Sequence, residues 1–325
     1  MSEPRSTDKI VAELMRAEYE IVPASIVEGP RGWVGETFIV TAVDGRCVFA
    51  KVLDVPGHFH EATAALPVLE ALRAAGIENL SFPIRTKDGR LAVDFDARRL
   101  IVLEFIDGSQ GNRVPFDFAS YVRTVARVHV AKLDLPPGVP REDYFMPVAE
   151  NYVRLFEQAL IDPGSTAPQQ GLKEYLQAHE AETRQLWSEL LALAVKCRRL
   201  DVPFVVTHSD AFEHNLLVTP EGEIFFIDWD ELKLGPVERD TWYFVLNSKT
   251  RTDFLSAYRE TFPTYEPHPT LCRYYLLRRY FEDIEGCLVK IMEGQSIEEQ
   301  ARLLAGMKGP LMDWLWPLIE GDGER

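Results

Sequence analysis

THSDAFEHNLLVTPEGEIFFIDWD, residues 207–230, gathers three aspartates, two histidines and an asparagine around two short apolar runs. The β-branched and aromatic stretches FVVT (204–207), LLV (216–218) and IFFI (224–227) are bounded by turn residues, the reading of a strand followed by a hairpin turning at 220–222. That arrangement presents Asp210, Asn215 and Asp228 at neighbouring strand ends. A lone aspartate on a hairpin is most often a turn or capping residue, but three oxygen donors in this strand context read as a site. Magnesium takes one or two carboxylates with an amide oxygen and leaves its other positions to water and phosphate oxygens. Asp228 and Asn215 supply that set, and Asp210 is placed to accept the proton of an attacking hydroxyl. The pattern suits phosphoryl transfer. His208, at an apolar strand end, reads as a brace for the loop.

Working outward toward the N-terminus, Ile10, Val11, Leu14 and Met15 recur at helical spacing, which predicts a helix over about 7–18. The stretch 25–53 alternates β-branched and aromatic residues around Asp44-Gly45 and predicts antiparallel strands. A helix follows over 59–77 with Gly76 as its stop, and Pro67 is expected to kink or restart it. Two further strands are expected, in 82–95 and 98–106, with Asp88-Gly89 as their turn. Residues 1–106 thus read as a small lobe on a mostly antiparallel sheet. Residues 107–325 carry long helical patterns and read as a larger, mainly helical lobe; the fold class is α+β and bilobal. DPGSTAPQQG, 162–171, reads as a mobile loop.

Lys plus Arg total 35 against 51 Asp plus Glu, a net charge of −16. So acidic a chain is ill suited to gripping nucleic acid and attracts cationic small molecules. Cys47, Cys197, Cys272 and Cys287 lack CxxC spacing and read as buried thiols of a reducing compartment. The polar start has no signal-peptide core and no later run has the length of a membrane span, so the expected location is cytoplasmic, with no membrane partner.

H-x-D-x-x-x-x-N over 208–215 followed by I-D-W-D over 227–230 resembles the catalytic and metal-binding segments of the aminoglycoside phosphotransferase family, protein-kinase-like enzymes that phosphorylate small-molecule hydroxyls. HSDAFEHNLLV, FIDWDELKLGPVERD and GIENLSFPIRT are similar to the spectinomycin (aminoglycoside 9-) phosphotransferases within it. The likeness runs from the first helix to about residue 290, with 207–240 its most specific part. It implies ATP (or GTP) with Mg2+, Lys51 on the α- and β-phosphates, and a carboxylate partner for that lysine from the next helix: Glu61, with Glu70 the alternative. It further implies that the backbone of Glu104 and Ile106 meets adenine, and that Asp240 steadies the catalytic loop.

The sequence also departs from the family. Gly29, Gly32 and Gly35 are spaced G-x-x-G-x-x-G rather than G-x-G-x-x-G, and Gly32 and Gly35 are the expected phosphate cradle. Phe212 and His214 stand where the family often has histidine and glycine, a change expected to bear on cation affinity near Asn215. In 274–286, Tyr274, Leu277, Tyr280 and Phe281 read as a buried stripe; Glu282 and Asp283 either bind a cationic acceptor or form a solvated acidic face. The implied function is an ATP-dependent O-phosphotransferase of a cationic aminocyclitol such as spectinomycin, in antibiotic resistance or in biosynthesis. The rivals are a kinase of another metabolite, choline-like or sugar-like, and a regulatory pseudokinase.

Overall fold

The computed structural model describes residues 6–30, 35–146, 148–294, 296–309 and 315–320, without the side chains of His58 and Glu320. Packing divides the chain into two compact units, the first of 1–141, 205–235 and 257–263, the second of 142–204, 236–256 and 264–325. This differs from a cut at 106/107 because the hairpin carrying Asp228 pairs with strands and bridges of the first unit.

The first unit is built on a five-stranded antiparallel sheet ordered β1-β2-β3-β5-β4: β1 (Pro23–Glu28), β2 (Glu36–Ala42), β3 (Cys47–Leu53), β4 (Val93–Phe95) and β5 (Arg98–Glu104). Period-two alternation sorts β3 onto two faces. Ala50 and Val52 are fully buried in a core with Val11 and Met15 of helix α1 (Thr7–Tyr19), which leaves Lys51 on the opposite face.

Helix α2 (Pro56–Ala74) runs through Pro67 as one element, so the predicted restart is absent; Gly76 ends it at φ +81°. The second correction concerns 82–95. Only Val93–Phe95 is strand there, because its turn is Asp96-Ala97, at φ +42° and +60°, while Asp88-Gly89 closes a small loop bonded between Thr86 and Arg90. The segment before it is held to β5 by single bonds, Ile84 N–H to Val102 O at 2.8 Å and Glu104 N–H to Phe82 O at 2.8 Å.

Helix α3 (Phe118–Val130) is capped by Asp117, whose carboxylate accepts Ala119 N–H at 3.0 Å. Its buried Tyr121 donates to the carbonyl of Ala211 and stacks on Phe226 at 5.3 Å. The predicted catalytic strands form as β7 (Val205–Thr207), β8 (Leu216–Val218) and β9 (Ile224–Phe226). β8 pairs with β9 and with the short β6 (Ser109–Gln110), and β7 pairs with β10 (Lys233–Gly235), all antiparallel. Ser81 N–H donates to Phe226 O at 3.0 Å and Phe226 N–H to Asn79 O at 2.9 Å, tying the hairpin to the loop after α2.

The second unit is helical: α4 (Ala149–Ile161), α5 (Ala167–Ala178), α6 (Glu180–Cys197), α7 (Glu238–Leu246), the larger part of α8 (Ser248–Thr261), α9 (Pro269–Glu293), α10 (Ile297–Met307) and α11 (Trp316–Glu320). The stripe Tyr274, Leu277, Tyr280 and Phe281 is buried, as its spacing predicts. Residues 162–171 are not all loop: Thr166 and Gln169 form a capping box, so α5 begins inside that segment. Buried Glu142 gathers Arg239, Arg278 Nη1 at 3.0 Å and the Tyr275 hydroxyl at 3.2 Å. All four cysteines are free; Cys197, Cys272 and Cys287 are buried, but Cys47, first residue of β3, is exposed, against expectation. No helix among the described residues is long and apolar enough to cross a membrane.

Candidate active site

The loop from β7 to β8 is knit to the end of β9 by main-chain bonds. Ile227 N–H donates to Asn215 O at 3.0 Å, and the Ile227 carbonyl accepts the Nε2–H of buried His208 at 2.8 Å. The other ring nitrogen, Nδ1, lies 3.4 Å from the amide of Asp210. His208 therefore spans the gap between the two segments, packed 4.4 Å from the Trp229 ring.

Asp210 and Asn215 meet directly. The Asn215 side-chain nitrogen bonds Asp210 Oδ2 at 2.8 Å and the Asp210 carbonyl at 2.9 Å, so Asn215 Oδ1 is its atom left to ligate a cation. Asp228 follows Ile227, and its Oδ1 lies 2.7 Å from Lys51 Nζ. Ser209 and Asp228 adopt φ +82° and +62°, conformations that non-glycine residues rarely keep unless their surroundings enforce them. One carboxylate oxygen and one amide oxygen, with water completing the shell, are a donor set suited to a hard divalent cation.

Lys51 reaches this cluster from β3. Its ammonium also bonds Asp230 Oδ2 at 2.5 Å. Burial alone disfavours the charged amine, but Asp230 and then Asp228 outweigh it and hold the pKa above the ordinary lysine value. The expected partner on α2 is not the one found: Glu61 lies 3.5 Å from Lys233, and Glu70 pairs with Arg85. The aspartates intercept the lysine because alternation along β3 aims it at the hairpin end. Asp230 is the candidate site residue absent from the sequence reading; its signal is the i, i+2 spacing of the two acids in IDWD.

Gly35 sits at φ +115°, and a Cβ there would lie 2.0 Å from the Val52 carbonyl oxygen, so glycine is required by the close approach of β3. Gly32 lies outside the described residues. The Glu104 carboxylate pairs with Arg73 at 2.8 Å, while none of the described hydrogen bonds engages the backbone of Ile106. In the second unit, Asp240 is buried in the first turn of α7. Glu282 and Asp283 are each paired one turn back, with Arg278 at 2.7 Å and Arg279 at 3.0 Å. The two residues expected either to bind a cationic acceptor or to form a solvated acidic face are thus each ion-paired, whereas Glu285 accepts from Asn151. His214 bonds Asp210 Oδ2 at 2.9 Å, a contact the sequence alone did not give.

A histidine spanning two loop segments, an aspartate held by an asparagine, and a lysine clasped to two further aspartates are thus gathered in one unit of an α+β scaffold. Residues 25–275 match the phosphotransferase enzyme family (APH), and the chain belongs to that family. No curated protein matches it in sequence. Its fold is similar to that of spectinomycin phosphotransferase APH(9)-Ia, solved in complex with ADP and spectinomycin, at TM-score 0.79 and 20% identity over 97% of this chain and 99% of that one. It is also similar to a microcompartment-associated aminopropanol kinase, at TM-score 0.66 and 18% identity over 98% and 99%. A third likeness is the choline kinase LicA from Streptococcus pneumoniae, at TM-score 0.60 and 15% identity over 93% and 99%.

Proposed function

We propose that this phosphotransferase moves the γ-phosphoryl group of ATP to a hydroxyl of a small cationic aminocyclitol such as spectinomycin, in the cytoplasm. The observation that carries the reading is the convergence of Lys51, Asp228, Asn215 and Asp210 within one compact unit, two of them joined by a 2.7 Å ion pair and two by a 2.8 Å hydrogen bond. Asp228 and Asn215 would hold Mg2+, which when bound would neutralise charge on the phosphates. Lys51 exchanges its carboxylates for the α- and β-phosphates, and Asp210 orients the acceptor hydroxyl and takes its proton. Catalysis is then mainly positioning and charge neutralisation. The nucleotide is assigned to residues 1–106, with adenine against the backbone of Glu104 and Ile106 and phosphates beside Gly32 and Gly35. The acceptor is assigned to 107–325.

The cationic acceptor is supported by the net charge of −16 and by the likeness to the spectinomycin enzyme. The ion-paired state of Glu282 and Asp283 makes overall field, rather than those two side chains, the source of attraction. A second reading, a kinase of a smaller amino alcohol, is favoured by the likeness to the aminopropanol and choline enzymes. The test is incubation of the chain with ATP and Mg2+ against spectinomycin, other aminocyclitols, choline, aminopropanol and neutral sugar alcohols, with ADP release and product mass as readouts. The proposal expects phosphorylated spectinomycin, at an apparent affinity that weakens with salt. Phosphorylation of neutral alcohols only would remove the cationic acceptor and leave the kinase; no turnover of any alcohol, with ATP still bound, would favour the regulatory pseudokinase.

A further inference from the structure

The short 3-10 turn Glu213–Asn215 brings two side chains to one oxygen of Asp210. Asn215 Nδ2 lies 2.8 Å from Oδ2, and His214 Nε2 lies 2.9 Å from the same atom. The imidazole is itself held: its ring stacks on Phe212 with planes 13° apart and centroids at 6.1 Å. The His214 carbonyl accepts Gln110 Nε2 from β6 at 3.4 Å, and Asn215 N–H closes the turn onto Phe212 O at 2.9 Å. Although its side chain is 43% exposed, His214 is stacked, and it is aimed at the carboxylate.

We propose that His214 is a positioning residue for Asp210, an inference that rests on the phosphotransferase reading. A carboxylate bonded by a single donor swings about its Cβ–Cγ bond. Two donors on Oδ2, one from each of two consecutive residues, fix the plane of the group and with it the line along which the acceptor hydroxyl delivers its proton. Rate is sensitive to that alignment, while nucleotide binding is not, because His214 touches the base and not the lysine that meets the phosphates. Phe212 belongs to the same device, since it sets the tilt of the imidazole.

The test is a mutant cycle on the full chain with ATP, Mg2+ and spectinomycin, or whichever alcohol the acceptor panel shows to be phosphorylated. His214→Ala is expected to lower kcat about tenfold, the scale of one charge-assisted hydrogen bond, with KM for ATP within about twofold of wild type. His214→Gln, which retains an N–H donor, is expected to recover part of the loss. In an Asp210→Ala background, His214→Ala is expected to add nothing. An unchanged kcat, a KM rise matching the kcat loss, or full additivity with Asp210→Ala would overturn the inference. A second readout is independent of turnover. The one-bond ring N–H resonance of His214, assigned by its absence in His214→Gln, is expected in the wild-type nitrogen-15 spectrum and to be lost to solvent exchange in Asp210→Ala. Persistence of that resonance in Asp210→Ala would also overturn the inference. If wild type phosphorylates no alcohol while the resonance depends on Asp210, the kinase reading fails and the contact stands; turnover without a His214 effect has the reverse meaning.

Discussion

Replacing Lys51 by methionine preserves the length and apolar stem of the side chain and removes its charge. In the free protein that charge is held 2.7 Å from Asp228 and 2.5 Å from Asp230, with the lysine 13% exposed and the aspartates 50% and 32%. Breaking a buried pair on one side costs about 3–5 kcal/mol and an exposed one under about 1 kcal/mol. Half-solvated aspartates place this clasp between the two, at about 1–2 kcal/mol, because water takes over part of what the ammonium gave. For a unit of this size that is a fall of about 2–8 °C in Tm, read by circular dichroism without nucleotide. With nucleotide, the variant also lacks the cation that meets the phosphates. One charge-assisted bond is worth about 1.5–3 kcal/mol, and wild type first releases its aspartates, so KM for ATP is expected to rise roughly tenfold. A melting point lowered as expected beside an unchanged KM would make Lys51 a structural cation only. An unchanged melting point would mean that the clasp is absent in solution.

Three further outcomes test the surroundings of the site. Glu142→Ala, which strands Arg239 and Arg278 without their buried carboxylate, is expected to cost about 3–5 kcal/mol, whereas Asp44→Ala, at a solvent-exposed pair with Arg46, is expected to leave the melting point nearly unchanged; equal melting points would refute the difference in burial. Alkylation of the native chain at mildly alkaline pH should label Cys47 alone, because burial pushes the Cys287 thiol up to about 11 and the Cys197 thiol up to about 12, and Cys272 is raised further by the same cause; mass spectrometry showing a second modified cysteine would contradict it. The Arg273 guanidinium beside Glu189 holds that carboxyl below its usual range, so the pair stabilises above the ordinary glutamate pKa and is lost as pH falls through the depressed value; Glu189→Gln should melt slightly lower than wild type at neutral pH and converge with it in acid.

What the sequence disclosed follows from how local the cause is. The hairpin over 216–226 was legible because alternation, turn residues and strand ends are set within a few residues, and these alone place Asn215 beside Ile227. The buried stripe of α9 was legible from its period for the same reason. The partner of Lys51 was not, since Asp228 and Asp230 lie 177 and 179 residues away in the chain and win by the direction in which β3 aims the side chain. The pairing of Glu282 and Asp283 with arginines four residues earlier follows the i, i+4 rule and is a local signal that net charge does not carry. His214 illustrates a third case: a departure from the family pattern expected to bear on cation affinity near Asn215 also places a side chain on the Asp210 carboxylate.

The proposed function divides labour between two aspartates, with the cation and its nucleotide given to Asp228 and the acceptor to Asp210. Calorimetric titration of ATP with Mg2+ into Asp228→Ala and Asp210→Ala tests it most directly. The account predicts affinity weakened at least about tenfold in Asp228→Ala and within about twofold of wild type in Asp210→Ala, although the latter loses turnover by a factor of about 10² or more. Equal loss of nucleotide affinity in the two variants would contradict it.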